Sequence, residues 1–374
     1  MLFHLLLYLM DKASWLSGLN LFRYTSTRII AATLTSLIIS FLLSPWFIRR
    51  LQEQQIGQPI REDGPETHQV KAGTPTMGGS LILFSLVLST VLWCDLTNGF
   101  IWMLLSITVG YGVVGFVDDS LKVSKRSSAG LSGKLKLLLL TGIAVGAMAY
   151  TFHGSLMGPH KLQVAFPFVD YYAIAFALPL WLYVAFGSLV VVGTSNAVNL
   201  TDGLDGLAIV PVIICAFVFM VIAYISGSIL LTQDGQTLAQ YLGVPFIPGS
   251  SETAIFCGAV AGAGVGFLWY NTYPASVFMG DVGSLSLGGG LGAVAVMTKS
   301  EFVLLVTGGV FVVEAVSVIL QVAYFKATGK RIFLMAPIHH HFEKKGWAEP
   351  KVIVRFWIIS FMLALIGLGL LKVR

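Results

Sequence analysis

Charge is what this sequence has least of. Asp, Glu, Lys and Arg make up 11% of its 374 residues, whereas a soluble domain carries roughly 25%. So few charges cannot cover the surface of a water-soluble globule. Cysteine is nearly as rare: Cys94, Cys215 and Cys257 lie in or beside apolar runs without CxxC spacing, which excludes a disulfide scaffold and a thiolate metal site. No lipidation box and no internal repeat stand out. The first apolar stretch, Leu2 to Met10, is short and has no basic region before it, so a cleaved signal peptide is not expected. Hydrophobic residues are abundant, at 56% of the chain with a mean hydropathy of +0.83.

The apolar residues come in runs of about 20, the length a helix needs to cross hydrocarbon. Ten spans can be drawn, at about 25–47, 77–95, 100–117, 135–153, 171–192, 207–226, 254–270, 286–299, 302–325 and 351–371. The fold expected is therefore an all-α polytopic membrane protein in one domain covering 1–374, with Leu2 to Met10 as a further helix on the interface. The eighth span is short and glycine-rich, which suits close packing against neighbours.

Orientation follows from the basic residues. The loops after spans 1, 3, 5, 7 and 9, with their flanks, hold sixteen of the 23 Lys and Arg, from Arg49 and Arg50 through Lys71, Lys122, Lys125 and Lys134 to Lys351 and Arg355. The opposite side receives Lys161, Lys299 and residues near the termini. Both termini are thus expected outside and five loops on the cytoplasmic face. Every chemically suggestive motif falls in those same five loops, and a miscounted span would have divided them.

The first motif is Lys71-Ala-Gly-Thr-Pro-Thr-Met-Gly-Gly79. Its glycines and hydroxyls read either as backbone able to approach a phosphate or as a tightly packed helix start. Span 3 ends at Asp118-Asp119. Adjacent carboxylates near a helix C-terminus are disfavoured unless a cation or proton offsets them. After span 5 comes Asn196-Ala-Val-Asn199-Leu-Thr-Asp202-Gly-Leu-Asp205-Gly. There the two aspartates point the same way if span 6 begins at them, and the glycines leave room for a ligand. Asp281, before the glycine-rich span, is either a helix cap or a ligand for a hard cation such as Mg²⁺. The run His339-His340-His341 cannot turn all three rings to one metal from regular helix geometry. Phosphate or nucleotide contact is therefore preferred over zinc. Glu314 sits mid-span and is left out of the expected site. Acidic residues holding Mg²⁺, with Lys and His offsetting phosphoryl charge, describe diphosphate chemistry. Placement at a membrane edge suggests a lipid phosphate meeting a nucleotide.

Five runs carry a resemblance: Gly-Thr-Pro-Thr-Met-Gly-Gly (73–79), Gly-Phe-Val-Asp-Asp (115–119), Asn-Ala-Val-Asn-Leu-Thr-Asp-Gly-Leu-Asp-Gly (196–206), Phe-Met-Gly-Asp-Val-Gly-Ser (278–284) and Ala-Pro-Ile-His-His-His (336–341). Together they resemble the phospho-N-acetylmuramoyl-pentapeptide transferase family, within the polyprenyl-phosphate hexosamine-1-phosphate transferases. The resemblance implies transfer of a phospho-sugar from UDP-N-acetylmuramoyl-pentapeptide to undecaprenyl phosphate, giving lipid I and UMP at the first membrane step of peptidoglycan synthesis. It further implies a Mg²⁺-dependent homodimer in the bacterial inner membrane, and no nucleic-acid partner is expected. By motif, Asp281 holds Mg²⁺ with Asp118 and Asp119 near it. Asp118, Asp119 or Asp202 engages the lipid phosphate as base or nucleophile. Lys71, Thr76, Lys134, Asn199, Asp205, Asn271, Phe278, His339, His340 and His341 line the substrate pocket. Two rivals differ in what they require. An isoprenoid-diphosphate prenyltransferase needs two spaced aspartate clusters and no His run. A transporter needs ionisable residues along a midplane path, where the spans offer only Glu314.

Overall fold

Several helices run further than hydropathy alone indicates, because polar side chains near their ends lie within the helix. The structure is a computed structural model, and it describes all residues except 13, 55–72, 126–129, 154–156, 159–160, 170, 172–175, 233 and 372–374. In order come α1 (Leu2–Lys12), a 3₁₀ stretch (Ser14–Arg23), α2 (Thr25–Glu53), α3 (Gly79–Trp93), α4 (Gly99–Ser124), α5 (Gly133–His153), the short strands β1 (Gln163–Val164) and β2 (Phe176–Ala177), α6 (Leu180–Thr201), α7 (Ile209–Gly227), α8 (Leu238–Tyr241), α9 (Ser251–Asn271), α10 (Gly280–Met297), α11 (Glu301–Thr307), α12 (Gly309–Thr328), α13 (Ile338–Lys344) and α14 (Glu349–Gly369).

Among the described residues, nine helices are long and apolar enough to cross a membrane: α2, α4, α5, α6, α7, α9, α10, α12 and α14. The chain is a multi-pass membrane protein. Helix α3 is apolar but only 15 residues long, a rise of about 22 Å at 1.5 Å each, short of a roughly 30 Å hydrocarbon core. The outward faces of α2, α12 and α14 expose Ile30, Leu34, Ile38, Val313, Val316, Ile319, Ile358, Phe361 and Leu365, an apolar belt suited to lipid.

Several expected boundaries are corrected. Span 5 was expected at 171–192, but α6 starts at Leu180, after Pro179. The residues before it include β2, paired antiparallel with β1. At its other end α6 continues through Asn196 and Asn199 to Thr201. Asn196 donates to Val192 O within α6, and Asn199 donates to Asp281 and Ser284 of α10, so their polarity does not end the helix. Helix α10 likewise begins at Gly280 rather than 286, and α4 continues past Asp119 to Ser124. The ninth span is two helices divided at Gly308. Span 6 begins at Ile209, so Asp202 and Asp205 lie in a turn and do not share a helix face. Leu2 to Met10 does form a helix, which packs against α3.

Helix α10 is the axis of the bundle, buried along nearly its whole length between α4, α6 and α3. Its glycines permit this. A Cβ at Gly288 would stand 2.7 Å from Cα of Ser195, and one at Gly292 2.8 Å from Cα of Val191. The same device joins α9 to α2, where a Cβ at Gly262 would fall 2.1 Å from the carbonyl oxygen of Thr33. Small residues spaced by four let backbones approach when lipid supplies no hydrophobic drive between helices. Gly262→Val should therefore cost about 1–3 kcal/mol by overpacking, read as a lower melting temperature in detergent. An unchanged melting temperature would show that the α2–α9 contact yields without strain.

At the end of the bundle remote from the aspartates, Arg28 makes a two-pronged pair with Glu252, at 2.9 and 2.6 Å, beneath the ring of Phe3. Arg28 is thus a further buried ionisable group inside an expected span. It is paired to Glu252 through both terminal nitrogens.

Candidate active site

Five chain segments converge at one end of the bundle. Asp118 and Asp119 come from the penultimate turns of α4, and Asp281 comes from the first turn of α10. One carboxylate oxygen of each lies within 4.8 Å of the others. The capping alternative for Asp281 is excluded by geometry: the N-cap of α10 is Met279, with no side-chain cap bond. The Asp281 carboxylate instead accepts from Asn199 Nδ2 at 2.8 Å, from Lys122 Nζ at 3.0 Å and from Lys136 Nζ. Lys122 also lies 2.6 Å from Asp118 Oδ2 and 3.4 Å from Asp119 Oδ1. Lys136, from the start of α5, reaches Asp118 at 3.8 Å. Asp118 Oδ1 accepts from the backbone of Leu131, and Asp119 Oδ2 accepts from that of Val282.

Gly280 makes this approach possible. It has φ +72°, and a Cβ there would sit 2.6 Å from Asp119 Oδ2 and 3.0 Å from Thr76 Oγ1, so a side chain would be both strained and obstructed. Asp202 stands at the C-cap of α6. Burial, then the carboxylates of Asp281, Asp119 and Asp205, push the Asp202 carboxyl up to about 8.

The three carboxylates outnumber the two ammonium groups that face them, and Asp118 Oδ2 is buried without a hydrogen bond of good geometry. An all-oxygen set with residual negative charge fits a hard divalent cation. The residues that could hold one are Asp118, Asp119 and Asp281.

Other expected site residues take different places. Lys71 lies outside the described residues. Thr76 is buried beside Gly280. Lys134 is exposed on the first turn of α5, while Lys136, two residues on, enters the cluster. Neither Lys122 nor Lys136 was singled out from the sequence. The signal for Lys122 was present, since it stands three and four residues after the aspartates on one helix. Nothing local marks Lys136.

At Gly78 and Gly79 the glycine loop is a tightly packed helix start. The N–H groups of Gly78 and Gly79 donate to the carbonyls of Phe278 and Met279 at 2.9 and 2.8 Å, and Phe278 N donates to Pro75 O. A Cβ at Gly79 would meet the backbone of Gly283 at 2.1 Å. The room expected at Gly203 and Gly206 is likewise taken. The ring of His339 fills the first, and Asn271 Oδ1 and Trp357 Nε1 bond the backbone of the second. Asp205 Oδ2 accepts from Ala275 N, and Asn271 Nδ2 donates to Val277 O. Both residues are buried and brace the turn 202–208 against the loop 272–279.

The histidines separate, as helix geometry requires. His339 is fully buried against Glu314. His340 Nδ1 lies 2.7 Å from Glu343 Oε2. His341 Nδ1 accepts from Leu334 N at 3.0 Å, which leaves the proton on Nε2. Burial and Lys345 lower the basicity of His341.

Clustered carboxylates bridged by lysines at one end of a polytopic helical bundle define a membrane enzyme built for anionic, phosphate-bearing reactants. Residues 101–299 match the model of Glycosyl transferase family 4. Over the full length of both chains the sequence is 55% identical to the phospho-N-acetylmuramoyl-pentapeptide-transferase of Sorangium cellulosum (strain So ce56), 54% to that of Desulfatibacillum aliphaticivorans and 52% to that of Syntrophus aciditrophicus (strain SB). The chain belongs to the phospho-N-acetylmuramoyl-pentapeptide-transferase family.

Proposed function

We propose that this protein transfers phospho-N-acetylmuramoyl-pentapeptide from UDP to undecaprenyl phosphate, releasing UMP and forming lipid I. The observation that carries the reading is the triad Asp118, Asp119 and Asp281 bridged by Lys122 and Lys136. Asp281, with Asp118 and Asp119, would hold Mg²⁺, which when bound neutralises diphosphate oxygens. Lys122 and Lys136 balance the remaining phosphate charge and orient the two reactants. Asp202, held at the lip of the cluster, accepts the proton of the lipid phosphate. His340 and His341 stand on the same side and donate to nucleotide phosphate. A homodimer, ten spans and both termini outside are the assembly and topology this reading carries.

Two measurements test it. Purified protein supplied with both substrates and Mg²⁺ should release UMP, and none should appear when the lipid phosphate is omitted. Release that does not need the lipid would make the protein a hydrolase. For topology, a cysteine replacing Lys125 should react with an impermeant thiol reagent from the cytoplasmic side only, and one replacing Lys161 only from outside. The reverse pattern would turn the site to the wrong face for a cytoplasmic nucleotide.

A further inference from the structure

Glu314 lies on α12, well inside a membrane-spanning helix, and is fully buried. Its neighbour is the ring of His339, also fully buried, with Nδ1 3.1 Å from Glu314 Oε2. Neither carboxylate oxygen and neither ring nitrogen makes a hydrogen bond of good geometry. Such a pair is an expensive way to stabilise a membrane bundle, since apolar residues of similar volume usually hold a buried site as well or better. Its presence asks for a role other than stability.

The location supplies one. Helix α13 has seven residues and no side-chain cap, too few to hold itself together, so its orientation depends on what its side chains grip. Phe342 stacks on Trp347 at 4.7 Å, and Ile338 joins the same apolar cluster. That contact fixes one face and leaves rotation about it open. His339 fixes the other face. Its Nδ1 faces Glu314, and its Nε2 fills the space beside Gly203, where a Cβ would come within 2.3 Å. It also packs against the ring of His340 at 4.1 Å between centroids. One side chain thus touches α12, the Asp202–Gly203 turn and the next histidine of the run.

We infer that Glu314 is a positioning residue, which through His339 sets the rotation of α13 and hence the places of His340 and His341 relative to Asp202. This rests on the function proposed above. A carboxylate 3.1 Å from Nδ1 favours the tautomer that keeps the proton on that nitrogen and restrains the ring by charge, as a carboxylate behind a functional imidazole does elsewhere.

The test uses the full-length protein in detergent. Glu314→Leu should lower kcat by about 10–100-fold, the range for lost orienting partners, when assayed at a temperature where the variant is fully folded. Glu314→Gln, which can still accept the Nδ1 proton, should restore most of the rate. In a His339→Asn background the Glu314→Leu change should add little further loss, because its route is already cut. Amide hydrogen exchange supplies a readout independent of turnover: in Glu314→Leu, exchange should rise across residues 338–345 and nowhere else. Unchanged exchange there would overturn the inference whether or not the parent releases UMP. So would full kcat in Glu314→Leu, or a loss of rate that tracks a fall in melting temperature. A parent that exchanges as expected but releases no UMP would instead strike at the proposed reaction.

Discussion

Asp281→Asn should lower UMP release by about a thousandfold or more, the scale of removing a central electrostatic group, while the protein keeps its melting temperature in detergent. The reason is local. Asn and Asp cap helices about equally well, so a capping residue would tolerate the change. Asp281 does not cap α10, whose N-cap is Met279. Its two oxygens collect Asn199, Lys122 and Lys136, and an amide would present an N–H₂ to at least one of those donors. It would also remove the anionic oxygen a hard cation needs, so raising Mg²⁺ should recover little. Near-normal turnover by the purified variant would withdraw the metal site and the mechanism built on it.

The second large effect is expected at a residue that loop composition did not mark. Lys122→Met should cut turnover by about a hundredfold or more, because its ammonium is the one group in contact with all three carboxylates, at 2.6, 3.4 and 3.0 Å. Lys134→Met, at an exposed position on α5, should stay within about fivefold of the parent, the reach of a solvated charge. Lys122→Arg should not rescue, since a planar fork cannot replace a compact cation among three converging oxygens. The paired assay is decisive through its ordering. If Lys134→Met were the inactive variant and Lys122→Met the active one, the geometry of the cluster would be the wrong guide to the chemistry.

The sequence by itself determined the class of molecule, since 20-residue apolar runs with so little charge have no soluble alternative. It determined that the informative residues share one side, because charge asymmetry and motif parity agreed. It also marked Asp118, Asp119 and Asp281, which do meet. What a linear pattern cannot carry is the partner across space. Asn199 reads as a loop residue until α6 is seen to continue past it, and then its amide bonds Asp281 across the α6–α10 interface. Lys136 is one basic residue among several until α5 is placed beside α4. Glycines at 78, 79 and 203 read equally as ligand cradles or as packing, and only the facing atoms decide for packing. Three adjacent histidines look alike in sequence. The 100° turn between successive residues on α13 sends one to Glu314, one to Glu343 and one to Leu334. In each case the deciding quantity is a distance between helices remote in the chain, set by how closely small residues let their backbones pack.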